Sequence, residues 1–289
     1  VDIGGTKIAV ALVDGAGCVE RAERVATPPG ADAEELWRVL ESVIDPLLQS
    51  TPDLSVCGVG CGGPMDLDGE HVSPLNIPGW RAFPLRSRLA ERCALPVFVD
   101  NDAKALALAE GWLGAARGVE HYMAMVVSTG IGGGIVLDGR LLHGRLGNAG
   151  HVGHVIVQPG GRRCACGGRG CLEAEASGTA IAEMTGHPAA EASPAVVERT
   201  GVLVGTGVAS VVNLLDLDLV VVGGSVALGF GAPFFAAAQR AVAGMARMPY
   251  ASRTRVVPVG LGPEAPVIGA AAVGWHGLRR GVVAGGRRQ

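Results

Sequence analysis

The sequence predicts an α/β protein built from two similar halves, and three observations carry the prediction. Short β-type apolar runs alternate along the chain with stretches of helical spacing. Glycine is abundant, with 46 residues, and aromatics are scarce at 4%, which suits close helix–sheet packing and many tight turns. A pattern of strand, Gly-rich turn, strand and Asp-Gly turn opens the chain and returns about 125 residues later. With 289 residues, 48% of them apolar, the chain can build one large or two medium domains with ample core.

In chain order, residues 1–27 read as three antiparallel strands punctuated by Gly4-Gly5-Thr6-Lys7 and Asp14-Gly15-Ala16-Gly17. The first turn presents backbone N–H groups and a hydroxyl with little bulk, a surface that an oligophosphate can approach. A Gly-rich hairpin without a ligand is equally compatible with it. Asp2 either holds a hydrated magnesium ion beside such phosphates or merely ends a strand. Residues 32–49 have the spacing of a helix, through Leu36, Val39, Leu40, Val43, Ile44 and Leu47, with Pro46 expected to perturb the last turn. A short buried strand over 55–60 runs into Cys61-Gly62-Gly63-Pro64, a second place where backbone can approach a small ligand. Asn76, in the loop Asn76-Ile77-Pro78-Gly79-Trp80, suits hydroxyl recognition and suits an ordinary turn equally.

A β-type run over 95–99 feeds Asp100-Asn101-Asp102, followed by a segment of strong helix propensity. One polar residue there caps the helix; three in a row exceed what a cap needs. Ligands of α/β sheets bind at the carboxyl ends of strands, so Asp102 is the candidate general base. From His121 the opening pattern returns as an apolar strand at 123–127, Ser128-Thr129-Gly130-Ile131-Gly132-Gly133-Gly134, and a turn at Asp138-Gly139. Two such half-sites facing one another across a cleft would hold one nucleotide.

The stretch from Gly147 to Gly178 carries His154, Cys164, Cys166 and Cys171. Three sulfurs and an imidazole in Gly-rich surroundings predict a closed, tetrahedral, structural zinc site. Its ordering would fix His151 and Glu173 beside it. Beyond it, helices are expected over 179–185, 196–215, about 233–245 and about 266–278, with strands over 217–222 and 255–259. Gly223-Gly224-Ser225, at the end of the first of these strands, suits an adenosine or phosphate contact. The end of the chain, from residue 282, is expected to fray.

A net charge of −3 gives no electrostatic footprint for nucleic acid or an anionic membrane. Arg279, Arg280, Arg287 and Arg288 are expected to be simply solvated. No signal peptide and no uninterrupted apolar run long enough to span a bilayer is evident. Cys18, Cys57, Cys61 and Cys93 lack the paired spacing of a secreted disulfide framework, so a cytoplasmic setting is expected.

Taken together, the motifs DIGGTK (2–7), NIPGW (76–80), DNDA (100–103), STGIGGG (128–134), GNAGHVGH (147–154), CACGGRGCLE (164–173) and VVVGGS (220–225) resemble those of the ROK family of sugar kinases and related repressors, from residue 1 to about 278. The resemblance implies an actin-like (ribonuclease H-like) fold of two α/β domains around a nucleotide and sugar cleft. The domains would be 1–112, completed by a helix at about 265–278, and 113–264 with the zinc loop. ATP and magnesium would lie with Asp2, Gly4, Gly5, Thr6, Lys7, Thr129, Gly130, Gly223 and Gly224. Sugar hydroxyls would meet Gly62, Asn76, Asn101, Asp102, His151, His154 and Glu173. Asp102 would accept the proton of a primary hydroxyl attacking the γ-phosphate. His154 would use one ring nitrogen on zinc and the other on the sugar. A homodimer or homotetramer is also implied.

One departure stands out: the family's Gly-Glu-x-Gly-His reads Gly150-His151-Val152-Gly153-His154. A carboxylate accepts two hydroxyl protons, whereas a neutral imidazole offers one acceptor and one donor. An amino or deoxy hexose, or a cyclitol, therefore fits better than plain glucose. Ordinary glucokinase specificity and a non-catalytic sugar sensor remain alternatives. A DNA-binding regulator is not expected unless a domain precedes residue 1, since no basic recognition helix is evident. At Lys104, where many relatives carry Asn, a solvated side chain is expected.

Overall fold

The computed structural model describes residues 1–51 and 53–285. Its described residues divide into two compact units, one comprising Val1–Trp112, His143–Asn148 and 261–285, the other Leu113–Leu142 and Ala149–Gly260.

The first unit begins with β1 (Asp2–Ile3), β2 (Lys7–Val13) and β3 (Val19–Ala26). Helix α1 (Ala33–Ser50) follows, with Asp32 accepting the Glu35 N–H at 2.8 Å as its N-cap. Pro46 lies inside α1 without ending it, since Leu47 beyond it is buried and holds the last turn on the core. Then come β4 (Cys57–Cys61), α2 (Leu85–Cys93), β5 (Val97–Asn101) and α3 (Asp102–Trp112). The strand order is β3-β2-β1-β4-β5, antiparallel from β3 to β1 and parallel from β1 to β5. Helix α8 (Ala265–Gly285) returns from the far end of the sequence to complete this unit. It approaches β4 so closely that a Cβ on Gly58 would lie 1.9 Å from the Ala270 carbonyl oxygen, so only glycine fits there. The expected frayed tail is thus helical through Gly285, while 286–289, with Arg287 and Arg288, lie outside the described residues, as does the Arg280 side chain.

The second unit contains β6 (Tyr122–Val127), β7 (Ile131–Leu137) and β8 (Arg140–Leu141), then α4 (Leu172–Ala176), α5 (Gly178–Thr185), α6 (Pro194–Leu215), β9 (Leu219–Gly223), α7 (Ser225–Met245) and β10 (Arg255–Pro258). Its sheet runs β8-β7-β6-β9-β10, again antiparallel over the first three strands and parallel over the last three. This repeats the topology of the first sheet, which is the physical content of the internal echo. Helix α7 starts earlier than the sequence suggests, because it is two helical pieces joined at Gly231 (φ 60°, ψ −146°), and the expected start at Pro233 marks the second piece.

By length and composition alone α6 and α7 could cross a membrane, with mean hydropathies of 1.4 and 1.3. Neither is an uninterrupted apolar run, because Glu198-Arg199 lies inside α6 and Gln239-Arg240 inside α7. In the fold these helices pack on each other through Gly201 and Gly205 against Ala237, Ala238 and Ala241, and they bury Val204, Val208, Val212 and Phe234 in the unit's core.

Candidate active site and metal centre

In the first unit the carboxyl ends of β1, β4 and β5 lie side by side, with Asp2 opposite Gly60 and Gly60 opposite Asp100. Asn101 ends β5 and Asp102 opens α3. Both engage the N–H of Ala103, through Asn101 Oδ1 at 3.1 Å and Asp102 Oδ1 at 2.8 Å, so the cap is shared between them and Asp102 remains exposed. Asp100 is engaged elsewhere. Its Oδ1 accepts the Asn101 N–H at 2.8 Å and faces Lys104 Nζ at 3.5 Å, while its Oδ2 faces His143 Nδ1 at 3.6 Å. Lys104 is not solvated as expected; its side chain is 1% exposed and Nζ donates to the Gly147 carbonyl at 2.6 Å.

Burial pushes the Asp2 carboxyl up to about 6, and the charge of Asp102 adds to the rise, against the opposing amino terminus and Lys7. Burial, then the charges of Asp102 and Asp2, also raises the thiol of fully buried Cys61 well above its ordinary value. The two carboxylates therefore share one electrostatic neighbourhood.

The Gly4-Gly5-Thr6 turn closes with the Gly4 N–H on the Lys7 carbonyl at 3.0 Å, and Thr27 Oγ1 donates to the Gly4 carbonyl at 2.7 Å. Thr6 and Lys7 are exposed beside it. Asn76 packs directly on this turn: a Cβ on Gly5 would lie 2.9 Å from Asn76 Cβ, and one on Gly62 would lie 3.2 Å from Asn76 Oδ1. The Asn76 loop is anchored by Trp80, which is fully buried, stacks on Phe83 at 4.5 Å and donates through Nε1 to the Ala33 carbonyl. Arg81 Nη1 gathers the carbonyls of Pro74, Ile77 and Trp80. Sequence reasoning missed Arg81, although an Arg directly after a Gly-Trp turn is the only trace it leaves.

In the second unit the Ser128–Gly130 turn and the Gly223–Gly224 segment meet, with Ser128 Oγ 2.9 Å from Ser225 Oγ. The Thr129 carbonyl accepts Thr179 Oγ1 at 3.0 Å. Glu173 Oε2 accepts the Ile131 N–H at 2.8 Å, and a Cβ on Gly130 would lie 2.8 Å from that same oxygen. Thr129, Gly130, Gly223, Gly224 and Glu173 are thereby brought into one neighbourhood.

His154, Cys164, Cys166 and Cys171 offer ligand atoms that all lie within 4.8 Å of one another. His154 Nδ1 is 3.7 Å from Cys164 Sγ, and Cys166 Sγ is 3.7 Å from Cys171 Sγ. Zinc–sulfur bonds of about 2.3 Å in a tetrahedron place ligands about 3.8 Å apart, so the donor set and its spacing fit zinc. His151 lies beside His154, with ring centroids 6.2 Å apart and planes 14° from parallel. Glu175, 3% exposed, supports the loop: its Oε1 accepts the Arg162 N–H at 2.6 Å and its Oε2 pairs with Arg199 at 2.8 Å. Sequence reasoning passes over Glu175 because it sits two residues after the more conspicuous Glu173.

Comparison with known proteins agrees with this arrangement. The model of the ROK family matches residues 1–275. An N-acetylmannosamine kinase of Yersinia pestis is 37% identical over 267 residues, covering 86% of this chain and 90% of that protein. A glucokinase of Thermotoga maritima is 41% identical over 184 residues, 63% of this chain and 57% of that protein. The crystal structure of a ROK hexokinase from Thermus thermophilus superposes with a TM-score of 0.82 at 34% identity, covering 96% of this chain and 98% of that one. Fold and relatives define the class, a sugar phosphotransferase on the actin-like α/β fold. The chain belongs to the ROK family.

Proposed function

We propose that the protein is an ATP-dependent kinase that phosphorylates the primary hydroxyl of a modified hexose or hexose-like ring. The observation that carries the reading is the meeting, within one unit, of an exposed carboxylate at a strand-to-helix switch, Asp102, with the carboxylate Asp2 and the Gly-rich turn on which Asn76 rests.

In this mechanism Asp102 accepts the proton of the attacking hydroxyl while Asn101 and Asn76 orient the ring; Gly62 lets the sugar approach the backbone. Phosphoryl transfer needs positioning and charge neutralisation more than covalent chemistry, so a single base suffices. Gly4, Gly5, Thr6 and Lys7 hold phosphates through N–H groups, a hydroxyl and an ammonium, and Thr129, Gly130, Gly223 and Gly224 receive the rest of the nucleotide. Magnesium, supplied with ATP and held beside Asp2, would neutralise phosphate charge. Glu173 and His154 read further hydroxyls. With Nδ1 turned to the cysteines, His154 offers Nε2 to the sugar, a tautomer that zinc held by this set would fix. The cytoplasm supplies ATP and keeps the cysteine ligands reduced.

His151 is the specificity residue in this reading. Its imidazole cannot accept two hydroxyl protons as a glutamate does, and a site rejects ligands that leave its polar groups unpaired. An amino sugar is favoured, in keeping with the likeness to an N-acetylmannosamine kinase; deoxy hexoses and cyclitols meet the same criterion. The test is ADP release with magnesium-ATP against glucose, mannose, their free amino and N-acetylated forms and several cyclitols, for wild type and His151→Glu. A wild type that prefers a modified ring, with glucose turnover gained by His151→Glu, is the expected result. Ordinary glucose turnover by wild type would sink the specificity argument, and silence across the panel would favour a sensor.

A further inference from the structure

The buried ammonium of Lys104 has no part in the mechanism above, yet it sits two residues beyond the proposed base. Burying a charge is unfavourable unless it is paired and hydrogen-bonded, and a residue that only filled space here would serve better without one. The charge meets two partners. Asp100 Oδ1 lies 3.5 Å away, and the Gly147 carbonyl accepts its proton at 2.6 Å. Gly147 is the first residue of the Gly147–His154 stretch and has a left-handed backbone (φ 77°), packed so that a Cβ on it would lie 3.4 Å from Leu67 Cα. Asp100 also faces His143 through its second oxygen, at 3.6 Å. The segment His143–Asn148 clusters with the first unit although residues before and after it belong to the second. His143 at its start and Gly147 near its end are thus both tied to one ion pair that joins β5 to α3.

We infer that Lys104 is a positioning residue for the sugar: with Asp100, it fixes the His143–Gly147 segment and so sets where the chain presents His151, four residues further on. The inference rests on the reading of His151 as a sugar contact. The side chain touches neither sugar nor phosphate; it acts through the Gly147 carbonyl. An asparagine at this position could not supply the same charge to Asp100, so the tie is particular to a lysine.

The experiment compares Lys104→Met, which keeps the length and removes donor and charge, with Lys104→Gln, which keeps a donor. Steady-state constants are measured for the sugar that wild type turns over and for ATP, together with hydrogen–deuterium exchange of residues 143–151 in the free protein. Loss of a charged hydrogen bond should raise the sugar KM by about tenfold in Lys104→Met, with a smaller rise in Lys104→Gln. The KM for ATP should stay within about twofold of wild type, and exchange over 143–151 should quicken. A merely structural lysine would lower the melting temperature without separating the two KM values. An unchanged sugar KM in a folded Lys104→Met overturns the inference; if that variant does not fold, Lys104→Gln decides on the same criterion. A wild type inactive on every sugar removes the proposed function itself, and the inference with it, whereas an active wild type with an unmoved variant removes the inference alone.

Discussion

The carboxylate of Glu173 holds the backbone N–H of Ile131 at 2.8 Å, which links the residue two positions after the last cysteine of the metal cluster to the turn at Ser128–Gly130. One side chain therefore serves both the metal loop and the Gly-rich turn. Glu173→Ala leaves that N–H without its acceptor, a loss of about 1–3 kcal/mol. Both the sugar KM and the ATP KM should rise, each by about tenfold, in steady-state assays. If only the sugar KM moves, Glu173 is a sugar contact and nothing more.

Asp102→Asn keeps the acceptor for the Ala103 N–H but removes the base. Turnover should fall by about 10³-fold or more, while calorimetric sugar binding changes little. A variant that retained ordinary turnover would show that another group takes the proton.

Removal of zinc should be costly, because a preformed four-ligand site couples metal binding to folding. Native mass spectrometry should find one zinc per chain, and Cys166→Ser should lose it. The melting temperature should then fall by about 10 °C, corresponding to a few kcal/mol in a unit of this size. Glu175→Gln should weaken zinc retention without removing a ligand, since its single oxygen cannot both accept the Arg162 N–H and pair with Arg199.

Asp2 gives a pH signature. Its carboxyl titrates near 6 in the folded chain and near 3.8 when unfolded, so the folded state binds more protons between those values. Stability relative to Asp2→Asn is therefore greatest below about 4, falls as pH rises through about 6, and is level above it, by up to about 3 kcal/mol in all. Denaturant melts of the two proteins across pH 4–8 measure the difference directly. A constant difference over that range would contradict the burial of this carboxyl.

Much of this was legible in the residues. Gly4-Gly5-Thr6 and Ser128–Gly134 each follow a β-type segment and have an Asp-Gly turn behind them, and they mark the two hairpins that the sheets repeat. The His154 and cysteine spacing pointed to the metal cluster because few other arrangements place four soft ligands so close. Helix α2 was not legible: among its nine residues only Leu85 and Leu89 are buried, too few for a period to show. Lys104 read as a surface residue because composition cannot reveal that a carbonyl 43 positions away will cover it. Arg81 was hidden for the same reason, since its work is done on backbone carbonyls that carry no residue-specific signal.

The return of α8 to the first unit has a consequence for how the protein is made. Gly58 lies against Ala270 and Gly274, so β4 has one face uncovered until α8 has been synthesised, after the whole of the second unit. The second unit lacks that dependence and can consolidate while the ribosome is still translating. The first unit holds an exposed parallel strand through that interval and acquires its last layer only once α8 has emerged. The nascent protein is therefore most exposed to aggregation and to proteases in its earlier-made unit, not its later one.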